Sequence, residues 1–393
     1  MSEFPGHMHG GPAPYHDHIL TVTDQSCPDP YVLWDQGTYY MTFTRGDRIE
    51  LWSADTLFDF EKRCRKEVIW RPPPGKPYSG DLWAPELHNL NGKWYVYFAA
   101  DDPAHGNRSH RMFVLNGPPS SQSPLDPAAW SFHGRLDGMP EDQWAIDGTV
   151  ITLHNSLCFV YSGWPLGNSH DESRQEIYII EMTSPTSVTG SPVRISSPDQ
   201  PWEFSGKSGI NEGPQWLASP YGNWAGIVYS CAGSWTHEYK MNILFYTGGH
   251  PLAPTSWAKS TKPLLQAARD DTPPYGPGHG NFVAVTGPAG PEVWGVFHAT
   301  DQKTGWEGRK ARVMRVGWGQ NGPFMGSGYC GRCCGDVNHF INGCDGGVCG
   351  GKGEVGGTGG NQGGHSINNK DDVKREVKAV VDQGKKLLNK FLK

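Results

Sequence analysis

A pattern that returns five times limits this chain more than any other feature. DPYVLWDQGTYYMTFTR from Asp29, ELHNLNGKWYVYFAA from Glu86, DGTVITLHNSLCFVYSG from Asp147, EGPQWLASPYGNWAGIVYS from Glu212 and HGNFVAVTGPAGPEVWGVFHA from His279 share one plan. Each opens on a polar or ionisable residue and runs through a short apolar strand. It then turns at Gly, Asn or Pro and returns through a strand rich in aromatic and β-branched residues. The starts lie 57, 61, 65 and 67 residues apart, which leaves space for two further strands per unit. Five four-stranded units set around an axis make a β-propeller, an arrangement that protects its sheet edges. The expected fold class is therefore all-β, a five-bladed β-propeller.

Composition agrees. Gly (52) and Pro (32) make up about a fifth of the 393 residues and charged residues only 19%, which suits a turn-rich all-β chain. Sixteen Trp, 15 Tyr and 15 Phe supply a core. The formal net charge is −6. Ten Lys/Arg against seven Asp/Glu fall after residue 327, so the repeats are more acidic still, and a nucleic-acid partner is excluded. No stretch approaches the roughly 18 apolar residues of a membrane span. The opening MSEFPGHMHGGPAPYHDHIL has neither the basic n-region nor the apolar h-region of a signal peptide.

In a propeller the innermost strands converge, so Asp29, Glu86, Asp147, Glu212 and His279 are expected around one polar funnel. A single acid at a strand start is more often a turn residue. Here the ionisable residues fall in register, and four are followed by Pro or Gly (Pro30, Gly148, Gly213, Gly280), residues that let the backbone turn tightly. Grouped carboxyls suit water-mediated cleavage of a glycosidic bond. That reaction needs one carboxylate to activate water and one carboxylic acid to protonate the departing oxygen. A neighbouring carboxylate keeps the acid protonated by raising its pKa. Trp83, Trp144, Trp164 and Trp235 lie in or beside the strand mouths and offer flat faces to sugar rings, although core packing explains most tryptophans equally well.

SCPDPYV, GDLWAPELHNLNGKWYVYFAA, WAIDGTV, INEGPQW, YGPGHGNF and GRKARV, in this order over residues 18–327, resemble the motifs of glycoside hydrolase family 43. The likeness is strongest to its exo-acting α-L-arabinofuranosidase branch. The resemblance implies a five-bladed propeller that inverts anomeric configuration, with Asp29 as base, Glu212 as acid and Asp147 as modulator of the acid's pKa. It implies that His279 faces a calcium ion through waters at the propeller axis, with no cofactor required for the chemistry. Arg309 or Arg312 would supply a cation near the acids, Arg309 aligning with the family arginine. Glu86 would be structural or rim-lining within the substrate-binding set. Gln215 and Trp216 after NEGP depart from the family pattern.

The resemblance further implies a plant cell-wall arabinan or arabino-oligosaccharide as partner, a monomer, and an extracellular location that the missing signal pattern does not support. Residues 1–17 read as a flexible start and 18–327 as the propeller. Residues 328–369, with five of the nine cysteines, read as a Gly/Cys-rich linker, and 370–393 as a basic amphipathic helix. A β-xylosidase, an arabinoxylan arabinofuranohydrolase and a non-catalytic sugar-binding propeller are the competing readings.

Overall fold

The computed structural model describes residues 19–325 apart from 59, 169–170, 268–272, 288–289 and 320–321. The expected N-terminal segment, Gly/Cys-rich linker and terminal helix lie outside the described residues. Within them the chain is all-β, its helical content being four short 3-10 turns.

The expected pair of extra strands per repeat is present. The first repeat runs antiparallel through Tyr31–Asp35, Thr38–Thr42, Ile49–Ala54 and Arg65–Trp70. The second runs through Gly80–Leu90, Lys93–Asp101, Arg111–Pro119 and Ser131–Arg135. The third and fourth begin at Ala145–Leu153 and Ser208–Ala218. They share one nine-stranded sheet, because Arg174 and Gln175 pair in parallel with Gly209 and Ile210. The fifth has Tyr275–Gly287, Gly290–Thr300 and Lys310–Arg315, and its fourth strand comes from the other end of the chain: Leu20 pairs with Val313 and Thr21 with Arg312. Alternation along these strands sends apolar side chains to both faces, so the sheets are buried on both sides.

Five apolar clusters form the core. Each draws on two consecutive repeats: Leu51, Val96 and Phe98 join the first to the second, and Val22, Phe43 and Val296 join the fifth to the first. First strands pack on their neighbours in the same order, ending with the fifth against the first. This brings the strand mouths together.

Candidate active site

The strand mouths open on a cavity of about 550 Å³ lined by Asp29, Asp147, Glu212, His279 and Arg309, with Trp83, Trp144, Trp235 and Trp306 among its walls. Register shifts interrupt the first strands at this level, between Ile146 and Thr149, between Glu212 and Gln215, and on both sides of Gly278. Such bulges re-aim a side chain that regular alternation would turn away. Backbone φ is +54° at Asp29, +55° at Asp147 and +52° at His279. In these three repeats the residue that faces the cavity carries the left-handed turn itself, where the sequence suggested that the following Gly or Pro would; after Glu212 it is Gly213, at +56°, that does so, as expected. Each such non-glycine residue costs about 1–3 kcal/mol and persists only where its surroundings impose it. Gly148 is needed for space, since a Cβ there would lie 2.1 Å from the Phe159 ring.

Asp29 is held from several sides. Thr44 Oγ1 donates to its Oδ2 at 2.7 Å, Arg309 Nη1 and His279 Nδ1 stand 3.4 and 3.3 Å from Oδ1, and its backbone N–H donates to His298 Nδ1 at 3.1 Å. Burial by itself would raise this carboxyl, but Arg309, His279 and His298 together hold it well below the usual carboxylate range. Glu212 has the opposite balance. Burial pushes it up to about 7, the Tyr239 hydroxyl at 2.8 Å draws it down, and the Asp29 charge adds to the rise. Asp147 is raised by burial and then by Glu212 and Asp29, while the Gly213 N–H at 3.0 Å stabilises its ionised form. Glu212 and Asp147 therefore titrate as a pair that retains a proton near neutrality. One carboxyl kept ionised and another kept protonated on a shared cavity is the arrangement that glycosidic cleavage by water demands.

The model of the family described as glycosyl hydrolases family 43 matches residues 21–324. The chain belongs to this family. A relative from Streptomyces chartreusis, described as an extracellular exo-α-(1→5)-L-arabinofuranosidase, is 31% identical over 291 residues, which are 72% of this chain and 83% of that one. α-L-Arabinofuranosidase 43 of Humicola insolens is 32% identical over 65% of this chain and 51% of its own. Among solved structures, an α-L-arabinofuranosidase from Lactobacillus brevis superposes with a TM-score of 0.69 at 27% identity, covering 79% of this chain and 96% of that chain.

Not every expected site residue of this family 43 enzyme reaches the cavity. Trp164 is buried and stacks behind Trp144, ring centroids 4.8 Å apart, so it backs the wall without facing it. Arg312 lies in the strand Lys310–Arg315 and turns away. Its guanidinium bonds Thr21 Oγ1, the Ala299 carbonyl and Asp301, leaving Arg309 as the cation beside Asp29. Glu86 sits below the cavity, engaged by Gln215 Nε2 and by His88 Nε2 at 2.9 Å. Two register shifts, at Gly80/Trp83 and Trp83/Glu86, put Asp81 and Trp83 at the mouth of the second repeat in its place.

His279 does not gather a metal site: among the described residues no three His, Cys, Asp or Glu converge on an ion. Calcium takes six to eight oxygens. No such set of directly bound ligands is in place at His279 among the described residues; the water-mediated ion that the resemblance implies would not need one, and no step of the chemistry runs through an ion. Asn107, Tyr239 and Trp306 escaped the sequence reading because they lie outside the repeated motif, and Thr44 and His298 because they lie at the far end of it, whereas the reading rested on the residues that open each repeat.

Proposed function

We propose that this chain is an exo-acting α-L-arabinofuranosidase that removes terminal arabinofuranosyl units from α-1,5-linked arabinan or arabino-oligosaccharides with inversion. The observation that carries the reading is that Asp29, Asp147 and Glu212 line one cavity, with Arg309 beside Asp29 favouring its ionised form and burial of Glu212 favouring its protonated form. Asp29 takes a proton from water as the water oxygen attacks the anomeric carbon. Glu212 gives its proton to the glycosidic oxygen as that bond breaks. Asp147 resists a second negative charge beside Glu212 and so keeps the acid loaded. Arg309 holds the base ionised, and Trp83 and Trp144 face the sugar. The chemistry uses two carboxyls and water.

Support for arabinose over another pentose comes from the names of the relatives, and their description as extracellular supports the same location for this chain. The repeats are read as five blades of a propeller spanning residues 18–327, supported by the order in which first strands pack. The domain is read as acting as a monomer. No helix among the described residues is long and apolar enough to cross a membrane.

Incubation with linear α-1,5-arabinotriose tests the reading. The expected result is arabinose with arabinobiose rising and then falling. Release of xylose from xylobiose with arabinotriose untouched would overturn the sugar and retain the mechanism.

The pH profile follows from the two carboxyls. The base is competent above its lowered pKa and the acid below its raised one. The kcat/KM is therefore expected to stay level from about pH 4 to near 7 and to fall about tenfold per unit above. A profile that collapses below pH 6 would contradict this assignment.

Tyr239 holds the ionised form of Glu212, so Tyr239→Phe should raise the acid and move the alkaline limb upward by about one unit. An unmoved limb with lower kcat would make Tyr239 a packing residue only.

A further inference from the structure

We infer that Trp235 and Trp306 form the platform on which the leaving part of the substrate, a neutral sugar chain, stacks. The inference rests on the glycosidase reading above and names a subsite for it. Five large apolar side chains remain exposed among the described residues, and two of them, Trp235 at 37% and Trp306 at 57%, line this cavity. A tryptophan face kept in water beside a catalytic cavity lacks the packing reason that explains the buried ones.

The two rings are also fixed in place. They meet edge to face at 5.8 Å. Their loops are joined where the Gly305 N–H donates to the Trp235 carbonyl at 2.9 Å, where Thr236 bridges Thr304, and where Trp306 Nε1 donates to Ser234 Oγ at 3.2 Å. Gly233 lies flat under the Trp235 ring, which a Cβ would strike at 2.7 Å. A loop pair tied this way presents a rigid surface, and rigid aromatic surfaces bind at low entropic cost.

Chemistry decides which half of the substrate lies here. The acid protonates the leaving oxygen, so the leaving sugar must lie on the acid's side. The strand Ala225–Cys231 pairs with the Glu212 strand, Glu212 opposite Ser230, and runs directly into the loop that carries Trp235. That loop ends at Tyr239, whose hydroxyl holds Glu212. Trp306 is tied to the base through Arg309, whose Nε donates to the Trp306 carbonyl at 3.1 Å while Nη1 meets Asp29. Trp83 and Trp144 stand on the second and third repeats and are left for the terminal sugar.

The test compares arabinobiose, arabinotriose and arabinotetraose with the parent enzyme, Trp306→Ala and Trp306→Phe. In the parent, kcat/KM should rise from the disaccharide to the longer substrates. Trp306→Ala should lose about tenfold on the longer ones, mainly through KM, and so flatten the dependence on length, whereas Trp306→Phe keeps most of it. An unchanged length dependence in Trp306→Ala would overturn the platform while leaving the arabinofuranosidase reading intact. Inactivity of the parent on all arabinosides but not on xylosides would overturn that reading alone, and the same ratios on xylobiose and xylotriose would then judge the platform. A parent inactive on both series overturns both.

Discussion

Glu212→Gln is expected to lower kcat/KM on arabinotriose by about 10²- to 10⁴-fold, the usual worth of general acid catalysis. The amide keeps the side chain's shape and its contact with Tyr239 but has no proton to deliver. The loss should shrink on an aryl arabinofuranoside whose leaving group departs without protonation, because only the protonation step is missing. The alkaline limb near pH 7 should vanish together with the group that produces it. Thermal denaturation shows whether the variant is folded. Activity within a few-fold of the parent on arabinotriose would remove Glu212 from the acid role.

The second large effect is on stability and centres on Glu203, a buried carboxylate away from the cavity. Lys259 Nζ reaches its oxygens at 2.9 and 3.1 Å, Tyr229 donates at 2.7 Å, Asn211 at 2.9 Å, and the backbone N–H groups of Asp199 and Gln200 at 2.8 and 3.0 Å. Removing one partner of such a buried group leaves the others unpaired, so Glu203→Ala is expected to destabilise the fold by roughly 3–5 kcal/mol. For a domain of this size that is a Tm lower by roughly 5–8 °C. Asn211 adjoins Glu212, so kcat should fall too, by less than in Glu212→Gln. A loss under about 1 kcal/mol would place Lys259–Glu203 with ordinary surface ion pairs.

The carboxyl trio was readable before any coordinates because Asp29, Asp147 and Glu212 head repeated strands, and repetition separates them from ordinary turn acids. Glu86 heads its repeat by the same rule, yet it lies below the cavity. Two bulges in Gly80–Leu90 alter which residue reaches the mouth, and spacing along a chain does not record bulges. Arg309 and Arg312 stand three apart in one basic motif; alignment with the family favours Arg309, and in the folded strand it is Arg309 that reaches Asp29 while Arg312 bonds Asp301. Trp144 and Trp164 read alike in sequence, whereas stacking makes one the wall and the other its backing. Tyr239, His298 and Trp306 owe their places to contacts that join neighbouring repeats, Tyr239 with His298, His298 with Asp29 and Trp306 with Ser234. Tyr239 lies flat against His298, ring centroids 5.5 Å apart, and so links the surroundings of Glu212 and Asp29.

Leu20 and Thr21 complete the last sheet by pairing with Val313 and Arg312. Roughly 290 residues separate these partners, so at about 5–20 residues per second the ribosome extrudes one about 15 to 60 seconds before the other. During that interval the early strand has no sheet to join, and Lys310–Arg315 is born with one edge open. Synthesis thus leaves the closing of this sheet edge until late, and an N-terminal fusion partner that holds Leu20–Thr21 away from it is expected to lower yield more than the same partner placed elsewhere.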